Sequence, residues 1–149
     1  MNRRGFTMVE LILVILILGI LAGISLLRFI DLRNTARAAE VTGDIRSITL
    51  AAYNYHADAD QWPADGSPGV VPPPLVPLLP GGFSFDKGYY TLDYENVGLG
   101  SGAYMIGITI SSTDPDLMAK LVQHLGTKAP FFLVGGTLTY IIVGSDGVS

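Results

Sequence analysis

The sequence predicts an α+β chain, with one long amino-terminal helix packed on a four-stranded antiparallel sheet and one short extra helix. Three observations lead there. No proline occurs before Pro63, seven of the nine prolines fall between residues 63 and 80, and the last third alternates β-rich runs with glycine turns. A helical stretch followed by strands is the element order of an α+β layer arrangement.

The helix comes first. Leu11 to Leu27 is a run of seventeen residues without a charge, and Phe6 to Leu27 supplies 22 residues. At about 1.5 Å per residue, roughly 20 residues cross about 30 Å of hydrocarbon, so residues 6–27 are long enough to span a membrane. After Leu27 the helical period continues: Val41, Ile45, Ile48, Ala52 and Tyr55 recur at steps of four, three, four and three. That stripe is expected to pack on the sheet. Arg33, Arg37, Glu40, Asp44 and Arg46 lie on the opposite face, which reads as a solvated face. From Phe6 to about Ala57 the helix is on the order of 75 Å long, too long for so small a domain to bury.

"HADADQWPADG" ends the helix, and the prolines after it block both helix and inner strands, leaving a loop with stiff extended pieces. The strand candidates are "YYTLDYE" at 89–95, "AYMIGITIS" at 103–111, "FFLV" at 131–134 and "TLTYIIV" at 137–143. "NVGLGSG" separates the first two, and Gly135-Gly136 signals a two-residue hairpin between the last two. Asp114 as N-cap, Pro115 at the first helical position and Gly126 as stop bracket the short helix, about 115–125, with Leu117, Leu121 and Leu125 on one face.

Composition excludes several functions. The formal net charge is −4, and without Arg3 and Arg4 it becomes −6, so no nucleic-acid partner is expected. The chain has no cysteine, which removes disulfides, thiolate metal sites and thiol nucleophiles. Its two histidines, His56 and His124, stand in no nucleophile-and-base pattern, so no catalytic residue and no cofactor is assigned. His56, Asp58, Asp60 and Asp65 are oxygen- and nitrogen-bearing neighbours, but Trp62 and Pro63 break the spacing of a calcium loop, and no metal site is assigned.

The amino-terminal segment admits three readings: a cleaved secretory signal, a plain signal anchor, or a signal cut before its apolar run. "ARA" at 36–38 is separated from the apolar run by Arg28, Asp31 and Arg33, which argues against the first. Arginines on both sides of the run leave orientation undecided by charge alone. "RRGFTMVE" breaks the tie. A short basic leader, a glycine, an aromatic residue and an acid four residues further on resemble the type III signal of type IV pilins and type II secretion pseudopilins. The resemblance runs through the apolar segment into the helix beyond and becomes general after about residue 65.

That resemblance implies a pilin-like fold and cleavage by prepilin peptidase between Gly5 and Phe6, with N-methylation of Phe6. Residues 1–5 become a leader, 6–27 the transmembrane and filament-core helix, 28–62 its amphipathic continuation, 63–88 a Pro-rich αβ-loop and 89–149 the sheet with its short helix. Glu10 becomes the fifth mature residue, the family's assembly acid, which pairs with a neighbouring subunit's terminal amine. A carboxylate at membrane depth is costly and marks function or a partner, the plainer alternative being an interfacial acid in water. Gly19 and Gly23 form G-x-x-x-G, read as helix packing, local melting, or two tolerated glycines.

The implied function is a structural subunit of a type IV pilus or type II secretion pseudopilus. Its expected partners are further copies and related pilin subunits, prepilin peptidase, inner-membrane assembly machinery, and the lipid bilayer before assembly. The expected location is the bacterial inner membrane in a single pass, amino terminus cytoplasmic and carboxyl-terminal domain periplasmic, then a periplasmic or extracellular filament. The alternative is a monomeric single-pass membrane-anchored periplasmic binding domain. A carboxyl-terminal calcium loop of the secretion type finds only Ser145 and Asp146 as an echo.

Overall fold

A computed structural model of the chain describes residues 6–100, 103–127 and 129–144. Helix α1 runs Met8–Ala59, 52 residues, on the order of 78 Å. It ends at Asp60, which takes a left-handed conformation (φ 52°) and donates its N–H to the His56 carbonyl. The helix thus stops two residues beyond Ala57, and residues 60–62 lie outside it. Its burial is divided along its length. Every buried residue lies from Asn34 onward, and the apolar half before it has no contact that removes it from solvent.

The sheet consists of β1 (Thr91–Gly100), β2 (Ala103–Ser111), β3 (Phe131–Val134) and β4 (Thr137–Val143), all antiparallel, in the order β1-β2-β4-β3. Helix α2, Pro115–Leu125, crosses between β2 and β3 and packs on α1. Alternation places Leu92 and Tyr94 of β1, Ile106, Ile108 and Ile110 of β2 and Leu138 of β4 in the core. They meet Val41, Ile45, Ile48 and Ala52 of α1, and Leu117 and Leu121 of α2 close the same cluster. The β3–β4 turn uses Gly135 and Gly136, both at positive φ (58° and 84°), which glycine adopts without strain.

Two local expectations change. The prolines do not exclude helix: Pro73–Leu78 forms a 3₁₀ helix with a proline at its first position, where the missing N–H is no loss. It drives Leu75 fully into the core against α1. The stretch read as a separator also continues β1 to Gly100, with a register shift between Gly98 and Gly100. Pairing of Val97 with Met105 and Gly98 with Tyr104 supplies ladder bonds that outweigh the low β-propensity of glycine.

The free edge of β1 is covered at its start, at Leu92. Gly69 N–H donates to the Leu92 carbonyl (2.9 Å), Leu92 N–H to the Phe85 carbonyl (2.8 Å), and Asn96 Nδ2 to the Pro63 carbonyl (2.7 Å). The loop thereby occupies polar groups that would otherwise template another strand.

Candidate assembly and anchoring surface

The exposed amino-terminal helix is the surface that needs an environment. Val9 is 75% exposed and Leu27 72%, and the large apolar residues between them are exposed throughout. Exposure continues past Arg28 through Phe29, Ile30 and Leu32. A contiguous apolar surface of this size marks a membrane or protein contact.

Polar groups inside this run are satisfied locally. Ser25 Oγ donates to the Leu21 carbonyl at 2.8 Å, which lets a hydroxyl sit in an apolar setting. Thr7 caps the helix: its hydroxyl accepts from Glu10 N–H at 3.3 Å, while Glu10 Oε2 accepts from both the N–H and the hydroxyl of Thr7 at 2.8 Å. This is a reciprocal capping box. Glu10 therefore has a local role that the sequence reading missed, although Thr7-x-x-Glu10 carried the signal.

The remaining amino-terminal site residues stand as follows. Phe6 is exposed at 78%, ahead of the helix. Gly5 lies outside the described residues, as do Ser145 and Asp146. Gly19 and Gly23 sit in uninterrupted helix, and a Cβ added at either meets nothing within 4 Å. Their small size serves no contact within this chain.

At the other half of α1, the face read as solvated is partly an internal clamp, which corrects that reading. Tyr90, buried, donates its hydroxyl to Asp44 Oδ2 at 2.6 Å, and Lys87 Nζ stands 3.0 Å from the same oxygen. Tyr89 donates to Glu40, and the Arg37 guanidinium lies 4.3 Å over the Tyr89 ring and 3.7 Å from Asp114. Helical periodicity placed these charges opposite the apolar stripe. The 86–90 segment folds over that side and pairs with them. Burial and the bond to Glu40 push the Tyr89 hydroxyl up to about 12, and burial with the bond to Asp44 pushes Tyr90 higher still.

His56 is a packing residue. Its ring stacks on Trp62 at 4.2 Å and 4°, Tyr53 meets the same indole edge-on at 5.3 Å, and Trp62 Nε1 donates to the Tyr104 hydroxyl at 3.3 Å. Asp60 serves as the helix cap, and Asp65 accepts from Gly66 N–H. Among the described residues no three His, Cys, Asp or Glu side chains gather as a metal site would require. On β1, burial together with Glu95 and Asp65 pushes the Asp93 carboxyl up to about 6.

Comparison with known proteins follows this division. The prokaryotic N-terminal methylation motif matches residues 1–26. The type IV narrow pilus major component PilA5 of Thermus thermophilus is 41% identical over 51 residues, covering 34% of this chain and 44% of that protein. The type IV major pilin PilE1 of Neisseria gonorrhoeae is 34% identical over 73 residues, 48% of this chain and 44% of its own. Type II secretion system core protein G of Klebsiella michiganensis is 31% identical over 78 residues, 51% and 55% respectively. The matched stretch spans only about half, or less, of these relatives' lengths. The structure of the major type IV pilin PilA1 from Clostridium difficile superposes with a TM-score of 0.52 at 19% identity, covering 76% of this chain and 99% of that one. At that identity the likeness concerns the fold.

Proposed function

We infer that this chain belongs to the type IV pilin and type II secretion pseudopilin family and serves as a structural subunit whose apolar half-helix is first a membrane anchor and then the core of a helical filament. The observation that carries this reading is the division of α1. One half is built into the domain core, and the other, continuous with the methylation motif, is exposed along its whole length. A chain that keeps such a surface needs lipid or other copies of itself around it.

In this reading prepilin peptidase cuts between Gly5 and Phe6, and Phe6 is methylated on its new amine. The chain crosses the inner membrane once, with the α+β domain on the periplasmic side. Glu10 then sets the axial register by pairing with the amine of an adjoining subunit, since an acid and an amine attract strongly in low dielectric. Gly19 and Gly23, with no contact in the single chain, serve contacts between helices or local melting on assembly.

Mass spectrometry of the amino-terminal peptide from purified membranes tests the reading. The expected product begins at Phe6 with one added methyl group. A chain beginning near Ala39 overturns it, because Glu10 and the apolar helix are then lost.

A further inference from the structure

Where the apolar half of α1 meets the domain, the helix divides by face. Leu27, Ile30, Asp31 and Asn34 line a groove of about 510 Å³ against α2, and Asp31 pairs with Lys120 Nζ at 2.7 Å. At about 100° per residue, Arg28, Phe29, Leu32 and Arg33 fall together on the arc turned away from α2. All four are exposed, Phe29 at 65% and Leu32 at 67%. Among the described residues no carboxylate stands within salt-bridge distance of Arg28 or Arg33, whereas Arg37, Lys87 and Lys120 each have one.

Position and charge say what this face fits. When Leu27 ends the hydrocarbon, Arg28 stands about 1.5 Å and Arg33 about 9 Å beyond it along the helix, in and just above the headgroup layer. Helical side chains lean toward the amino terminus, here the membrane side, and an arginine stem is long enough to lower its guanidinium onto a phosphate. Phe29 and Leu32 stand between the two arginines, so exposed apolar surface continues into the same layer. Residues 28–37 carry three arginines and one aspartate, net +2, whereas residues 38–149 carry four basic and eleven acidic side chains, net −7. An anionic surface therefore attracts this collar and repels the rest of the domain. Arginines just past a spanning helix on the translocated side act against the usual charge bias, and no ion pair among the described residues accounts for these two.

We propose that Arg28, Phe29, Leu32 and Arg33 form a docking face for anionic phospholipid, each arginine holding a lipid phosphate while Phe29 and Leu32 sink to the upper acyl carbons. The chain is thereby seated with this face toward the bilayer and its acidic domain held off it. The proposal rests on the membrane-spanning reading of α1 and not on filament assembly. A second copy offering carboxylates to the same arginines is the competing occupant.

The test uses the full chain in nanodiscs of equal phosphatidylglycerol and phosphatidylcholine, with native mass spectrometry of the chain and the lipid it retains. Phosphatidylglycerol is expected to be retained about fivefold over phosphatidylcholine, the scale of one arginine at an anionic surface. The double variant Arg28→Gln, Arg33→Gln is expected to lose most of that preference, and Arg28→Lys, Arg33→Lys to keep most of it. Arg46→Gln, exposed and about 27 Å beyond Arg28, is expected to change nothing. Arg3 and Arg4 are common to every variant, so the difference between variants belongs to Arg28 and Arg33. Equal retention of the two lipids by the unaltered chain, or a preference unchanged in the double glutamine variant, overturns the proposal. Chain dimers that replace the retained lipid and vanish in the double glutamine variant assign the face to a second copy and also overturn it. Failure to enter nanodiscs sinks the membrane reading as well, whereas insertion with equal retention sinks this proposal alone.

Discussion

Glu10 carries two demands at once, a capping bond to Thr7 within its own helix and, in the proposed assembly, a charge for a neighbouring amine. The substitutions Glu10→Gln and Glu10→Ala separate them. Glutamine keeps a capping-box acceptor and loses the charge, so Glu10→Gln is expected to insert normally and to give at least tenfold less sheared filament, the scale of about 1.4 kcal/mol in register energy. Filament yield equal to the unaltered chain, measured by shearing and immunoblot, would remove the pairing role. Asp93 offers a second residue-level prediction. Its carboxyl titrates at about 6 in the fold and near 3.8 without it, so the folded chain holds the extra proton between those values. Stability from this group is therefore present below about pH 4 and lost as pH rises through about 6. Asp93→Asn should raise the melting temperature at pH 7 by on the order of 2 °C, with the gain vanishing near pH 3.5. A gain that persists at low pH would show that Asp93 is not the group responsible.

At the scale of elements, the contact between α1 and the 86–90 segment is held by polar bonds on the flank of the apolar core. Tyr90→Phe leaves the ring in place and takes the hydroxyl from Asp44, which keeps Lys87. The expected cost is about 1–3 kcal/mol, read from urea melts of the detergent-solubilised chain at constant m-value. A change below about 0.5 kcal/mol would mean that water replaces the hydroxyl without loss. The loop from residue 63 to 88 has a structural task beyond connecting: it caps the β1 edge through Leu92 and sends Leu75 into the core. At the opposite edge β3 is only four residues long, and its shortness limits strand-to-strand association.

For the whole molecule, a single helix serves two solvents. The domain half is stabilised by burial of the Val41, Ile45, Ile48 and Ala52 stripe, while the apolar half gains nothing until lipid or other copies cover it. In the proposed function, processing links these states. With Gly5→Val the leader is expected to stay on, so the unprocessed chain should accumulate at full length in membranes while sheared material falls to near background. Detection of Phe6-initiated chains from that variant, by the same peptide mass spectrometry, would remove Gly5 from the cleavage site.

The sequence by itself determined the long helix, the antiparallel strands, the short helix at Pro115–Leu125 and the likeness of its first 26 residues to the N-terminal methylation motif, because each rests on short-range physics: apolar period, capping residues, glycine turns and a motif contiguous in the chain. The Thr7–Glu10 box was equally local and equally legible. Only the tertiary structure decided that Arg37, Glu40 and Asp44 meet a folded-back segment, that prolines at 72–74 open a 3₁₀ turn, that the strands run β1-β2-β4-β3, and that Asn34 lines a groove beside α2. The reason is range. Helical periodicity shows which residues share a face, but what covers that face depends on residues 46 to 49 positions away, as with Asp44 to Tyr90 and Glu40 to Tyr89.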